Sequence, residues 1–454
     1  MQEQESSSLL KKSMNRRDFL RYAGMTGAAL LLAASAPKEK GFALRELPIA
    51  PNNLKNPEPF PDKVLKLSYE NLPSVEAWDS KRLKSEINKA IKTSIETNQK
   101  VEILLPHGEI LIDETVRCVV PTGADIVLKG HTEGTKIKLS STLAEIPTEW
   151  GSFGNHNCLF FHDIAGKVKV SSICFDGGSN KAKEEKGYKA PPSPWDAVVM
   201  AVGAGDLGSS TEADVSEANN RKGEFVAENC EIAYSESSGF LSQNLRNADF
   251  RNINASNLDA AIVGTWCDEV KVANITGEKF LSDGIYLNAC ESAQVVGSRI
   301  KTARQGYDIQ GVNTCAIIDS SAYDCFRGFE LTGSESIKEH HSVTIGIERC
   351  QTDECFTPYS IGDVRDLRVF DCTNTNLGAW SNEYSPGDFY HYDGIVRPED
   401  RGYTLDKVST AILDYSGDRT NSRSFAKVKM VTSPQTPPEY RLPKYRGIEY
   451  FRSQ

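Results

Sequence analysis

The sequence predicts an all-β chain wound into a parallel β-helix, a solenoid of coils about 22 residues long. Three observations predict it. A large apolar residue recurs at Phe240, Ile262, Ile285, Tyr307, Phe329 and Tyr359. A small residue stands just before each one, at 239, 261, 284, 306, 328 and 358. Nine or ten residues earlier lies a polar turn, which holds Asn229, Asn252 and Asn274 in the first three coils.

The intervals between the small residues are 22, 23, 22, 22 and 30, the last lengthened by an inserted turn at 334–341. This period is too short for a propeller blade or a helical-pair repeat. Leucine-rich repeats have the length but need a Leu and Asn ladder that is absent. Three short strands and three turns per coil fit the period. The apolar residues then stack inward as a column. The Asn side chains bond up and down the stack and satisfy turn backbone that no sheet pairs.

The repeat is flanked by other elements. Residues 37–78 are Pro-rich and read as an N-terminal arm. A helix follows, capped by Asp79 or Ser80, with Leu83, Ile87, Ala90, Ile91 and Ile95 on one face and an end near Asn98. It is placed to plug the first coil and hide a sheet edge. Strands then begin at 101–105, which stop at Pro106-His107-Gly108. The β-helix is expected over 79–380. A long excursion at 178–224 interrupts it around a strand at 197–202. From 381 to 454 the repeat fades into a segment that packs on the helix or caps it.

With 454 residues, 52 Lys+Arg against 62 Asp+Glu and a net charge of −10, the chain lacks the basic footprint of a nucleic-acid binder. No apolar run is long enough to span a bilayer, so no stable membrane span is expected. Near the start, Asn15-Arg16-Arg17-Asp18-Phe19-Leu20 precedes a weakly apolar stretch that ends in Ala34-Ser35-Ala36. This resembles a twin-arginine export signal with its cleavage pattern, occupying residues 1–36. The resemblance implies a bacterial chain handled by the twin-arginine machinery and delivered to the periplasm or beyond. All 11 cysteines follow the signal and none forms a Cys-x-x-Cys pair. Cys267, Cys290 and Cys315 are 23 and 25 apart, and Cys350 and Cys372 are 22 apart. That spacing reads as free, buried thiols in a structural repeat.

The run from the helix through Leu104-Leu105-Pro106-His107-Gly108-Glu109-Ile110 is similar to the opening of pectate-lyase-like β-helix proteins, and Ile173-Cys174-Phe175-Asp176-Gly177 resembles their later strand-to-turn step. The resemblance covers roughly 80–380 and implies a right-handed coil. It leaves the chemistry open, because the superfamily holds lyases, hydrolases, epimerases and non-catalytic proteins. Arg299-Ile300-Lys301 matches a polygalacturonase triplet, but the Asn-Thr-Asp, Asp-Asp and Gly-His-Gly motifs of that family are missing.

Alternation along a strand locates candidate chemistry. If Ile285, Tyr307 and Phe329 point inward, Tyr286, Asp308 and Glu330 point outward in one row. Asn288 and Gln310 follow in the next row. Asp283, Gln305 and Arg327 precede the small residue. Like charges opposite each other on neighbouring strands destabilise a sheet, so Asp308 beside Glu330 is a feature the fold does not need. Paired carboxylates suit a glycoside hydrolase, with Asp308 and Glu330 as acid and base and Asp283 in support. A polysaccharide lyase is the alternative. It would use Arg304 or Arg327, with Lys279 or Tyr286 as base, and calcium to neutralise a uronate. No other cofactor is expected. Tyr286, Asn288, Gln310, Lys279 and Trp266 are candidate sugar contacts. The expected substrate is an extended polysaccharide in an open external groove. A non-catalytic glycan-binding or surface protein is the third reading.

Overall fold

The computed structural model describes residues 64–67, 78–144, 157–179, 197–203, 221–332, 342–355, 357–362, 364–374, 403–408, 410–416, 420–425, 428–432 and 448–452. The signal at 1–36, most of the arm at 37–78, most of the 178–224 excursion and the stretch 375–402 lie outside them.

Every named strand pairing is parallel, and successive coils feed two sheets. The larger sheet holds long strands such as Asn247–Leu258 and Glu269–Phe280. The second sheet stacks Ser238–Gln243, Ile262–Thr265, Asp283–Asn288, Gln305–Gln310, Arg327–Thr332 and Thr357–Gly362 in chain order. These six strands are the six repeats of the sequence. Their register matches Phe240 with Ile262, Ile285, Tyr307, Phe329 and Tyr359 in turn. All six side chains are completely buried in one continuous core.

The aromatic members stack. Tyr307 and Phe329 lie 4.5 Å apart at 5°, and Phe329 and Tyr359 lie 5.2 Å apart at 9°. The preceding small residues make room for the neighbouring coil. A Cβ on Gly306 would lie 2.7 Å from the carbonyl oxygen of Gly328 and 2.9 Å from Ala322 Cβ.

The opposite turn is a ladder of left-handed residues. Ser172, Asn229, Asn252, Asn274, Gly297, Asp319 and Arg349 all have φ between 51° and 63°. Asn252 Nδ2 donates to Asn229 Oδ1, and Asn274 Nδ2 to Asn252 Oδ1, both at 3.0 Å. Asn takes this conformation at little cost, and its amide bonds the turn above and below. Where the ladder stops, Arg349 donates to both Asp319 carboxylate oxygens at 2.6 and 2.9 Å.

The helix Ser80–Thr97 is N-capped by Asp79, which accepts from the Arg82 amide at 2.8 Å, and ends at Asn98 with φ 50°. Leu83, Ile87, Ala90 and Ile91 enter the core. Ile95, assigned to that face by spacing, is 44% exposed, and Ser94 takes the inward place in the last turn. Ser94 Oγ accepts from the Asp125 amide at 2.9 Å, so a polar residue anchors the helix end. Within the arm, Val64–Leu67 forms a strand that pairs with Lys100–Leu104, and so the arm is not wholly irregular. Parallel pairing also continues past residue 380. Tyr403–Val408 and Thr420–Phe425 extend the second sheet, and Thr410–Ser416, Val428–Thr432 and Ile448–Arg452 extend the larger one.

All 11 cysteines are free, and ten of them are buried. Cys267 and Cys290 share a column, as do Cys350 and Cys372. Cys315 does not continue the first column. It pairs with Ala293, and Val312 follows Cys290 instead. The 25-residue gap had marked the change of column.

Truncating the middle ring of the aromatic stack tests this architecture. Phe329→Ala is expected to cost about 3–5 kcal/mol, measured by chemical denaturation. A change near zero would mean that the stack does not hold the coils together.

Candidate active site

Three adjacent strands of the second sheet, Asp283–Asn288, Gln305–Gln310 and Arg327–Thr332, carry the site. Tyr286 pairs with Asp308, and Asp308 with Glu330. Their inward neighbours belong to the core. The same row one and two coils earlier, Val263 and Leu241, belongs to an apolar cluster separate from that core. The carboxylates are therefore on the outer face, as alternation requires. They are not in an open groove. Asp308 is 3% exposed, Glu330 7% and Asp283 8%. The expected open groove is thus corrected to a site largely withdrawn from water.

A hydrogen-bond network fixes these groups. Gln310 Nε2 donates to both Asp308 oxygens, at 3.1 and 2.9 Å. Asn288 Nδ2 donates to Tyr286 Oη at 2.9 Å, and that hydroxyl donates to Gln310 Oε1 at 3.5 Å. Glu330 accepts from Gln305 Nε2 and from the Arg327 guanidinium. Arg304 Nε donates to Gln305 Oε1 at 2.9 Å. Ser282 Oγ donates to Asp283 Oδ2 at 2.9 Å. Asp283 Oδ1, buried, has no hydrogen-bond partner among the described residues. A bare buried carboxyl oxygen is costly.

Burial and crowding set the charge state. Burial holds the Asp308 carboxyl well above the usual range, and Asp283 and Glu330 push it further, against Arg304 and Gln310. Asp283 is pushed up to about 6, by burial first and by Glu330, against Arg304 and the Ser282 hydroxyl. Asp259 is raised to about 7, by burial and then by Asp283. Several neighbouring carboxyls that resist ionisation are a means of holding protons at neutral pH.

Of the residues singled out in sequence, the structure brings together Asp283, Asp308, Glu330, Arg304, Arg327, Tyr286, Asn288 and Gln310. Two fall away. Lys279 is exposed in a left-handed turn at the end of Glu269–Phe280, on the larger sheet. Trp266 is 6% exposed, its ring packed on Ala289, so it offers no stacking face. Two residues had been left out of the candidate site. Gln305 bridges Arg304 to Glu330. Asp259 lies one coil before Asp283, and its carbonyl accepts from the Ser282 and Asp283 amides. The signal for Asp259 was the row two places before the small residue, which continues as Ser282 and Arg304. Among the described residues, no group of three or more His, Cys, Asp or Glu is arranged to hold a metal ion. The calcium weighed for a lyase is assigned to none of these residues, and no step is derived through it.

Replacing Asp283 tests the electrostatics. A carboxyl with a raised pKa in the folded state contributes stability below its usual value near 3.8, lost as pH rises through about 6. Asp283→Asn is expected to raise Tm at pH 8 and to give a smaller gain at pH 4. An equal shift at both pH values would contradict the assignment.

Residues 213–344 match the family model for the right-handed beta helix region. Residues 13–33 match the TAT (twin-arginine translocation) pathway signal sequence. No curated protein matches the chain. A solved structure similar to it is the endo-xylogalacturonan hydrolase from Aspergillus tubingensis, with 9% identity and a TM-score of 0.37 over 85% of this chain and 100% of that one. The chain is thus a right-handed parallel β-helix protein, exported through the twin-arginine pathway to the periplasm or beyond.

Proposed function

We propose that the protein is a glycoside hydrolase acting on a polysaccharide. The observation that carries this reading is the stack of buried carboxyls at Asp283, Asp308 and Glu330, with Asp308 kept protonated by its surroundings. Glycosidic hydrolysis needs one carboxylic acid to protonate the leaving oxygen and a second carboxylate across the bond. Asp308 serves as the acid. Its proton passes to the glycosidic oxygen as the C–O bond breaks. Glu330, held by Arg327 and Gln305, is the second carboxylate and supports the positive charge developing on the sugar. Water supplies the hydroxyl of the new reducing end and returns a proton to the pair. Asp283 pushes the Asp308 carboxyl up further, which preserves the acid. Strands about 4.8 Å apart bring Asp308 and Glu330 nearer the separation of retaining than of inverting enzymes.

The arginines fit this reading better than elimination. Arg327 is committed to Glu330 and Arg304 to Gln305, so neither is placed as a base. Product analysis on the mature chain, against neutral and uronic-acid polymers, tests the point. Reducing ends are expected without the ultraviolet absorbance of unsaturated ends. Absorbance rising together with reducing ends would mean a lyase. Asp308→Asn and Glu330→Gln are each expected to lower turnover by at least about 10²-fold with the fold unchanged in circular dichroism. Turnover that survives both would mean that the catalytic groups are not Asp308 and Glu330.

A further inference from the structure

A polymer lying along a solenoid follows the outward rows of its sheet. The row through the site reads Phe160, Met200, Leu241, Val263, Tyr286, Asp308 and Glu330 in successive coils. It divides in two. The four N-terminal members are apolar and between 0 and 3% exposed. With Ala197, Val202 and Ala260 they form one outer cluster, and Tyr286 packs against it. The neighbouring row repeats the division. Gln243, Thr265 and Asn288 are buried, whereas Gln310 and Thr332 are partly exposed. In the neighbouring row the surface that solvent reaches begins at Gln310, beside the site, and lies on its C-terminal side; in the row through the site solvent reaches Tyr286, while Asp308 and Glu330 are buried.

An enzyme that cuts within a chain must bind sugar units on both sides of the broken bond. Sugars need hydroxyl, amide or charged partners, and the buried apolar row on the N-terminal side supplies none. Resting on the hydrolase reading, we propose that Tyr286 and the cluster behind it form an end wall. The enzyme is then exo-acting, taking a chain end that enters from the C-terminal coils. Tyr286 suits the role. Its ring is backed by the cluster, and its hydroxyl is tied to Asn288 and Gln310, giving the terminal sugar a fixed face with a polar edge.

The test uses the full mature chain with polygalacturonate, xylan and a mixed-linkage β-glucan, and with short oligomers of each. Product size and viscosity are followed from the earliest time points. The expected result is a mono- or disaccharide as first product, with viscosity almost unchanged while reducing ends accumulate. An early ladder of mid-sized oligomers with collapsing viscosity overturns the end wall and leaves the hydrolase reading standing. No new reducing end from any polymer or oligomer, by a folded protein, overturns both. Tyr286→Ala is expected to shift the first product to a longer oligomer. An unchanged product at retained turnover overturns Tyr286 as the wall.

Discussion

Everything in this molecule depends on the parallel register between successive coils. Each coil bonds its backbone to the next, and that register places Tyr307 under Phe329 and Asp308 under Glu330 in the same step. The inward residue of each pair gains from burial and ring stacking, and the outward residue is carried along whatever its own preference. A pair of acids on adjacent parallel strands opposes folding by itself. It is held because the rings beneath it cannot move without breaking the core. The close approach of Gly306 to Gly328 fixes the same step from the side.

The site adds a second opposing term. Asp283, Asp308 and Glu330 are withdrawn from water, and only Glu330 has an arginine donating directly to it among the described contacts. Desolvation therefore acts mainly on the two aspartates and favours their protonated forms, Asp308 above all. The amide side chains are arranged to match. Gln310, a neutral donor, orients Asp308, whereas Glu330 is held by Gln305 together with the Arg327 cation. Chemistry that needs a proton donor at neutral pH and stability that needs no buried charge are served by the same carboxyl, that of Asp308.

Much of this was legible in the sequence, because a solenoid turns sequence spacing directly into spatial contact. The column from Phe240 to Tyr359, the Asn ladder and the outward row through Asp308 all follow from one period. What escaped has physical reasons. Ile95 obeys helical spacing but comes after the last turn that faces the core, where Ser94 bonds the Asp125 backbone instead. Cys315 was grouped by spacing with Cys267 and Cys290, but it lies three residues beyond Val312, which continues their column. Lys279 and Trp266 sit at strand ends, where the alternation rule no longer gives a direction. Asp259 stands one turn outside the row being read. The closed character of the outer face was not legible, since no period in the sequence says what lies over a residue that points outward.

The free cysteines bear on how such a chain reaches its destination. Ten of the 11 thiols are sealed in the coils, several stacked against one another across adjacent turns. A thiol shut away from solvent, with burial pushing Cys118, Cys230 and Cys315 up to about 12, has almost no thiolate with which to exchange. An unfolded chain released into an oxidising space would present the same sulfurs bare, at many mutual distances, and mispairing would compete with coiling. A chain already wound when it meets that space has its own fold as protection against oxidation. The solenoid can thus keep small, well-packing sulfur side chains that a chain threaded through the membrane and folded outside would have reason to lose.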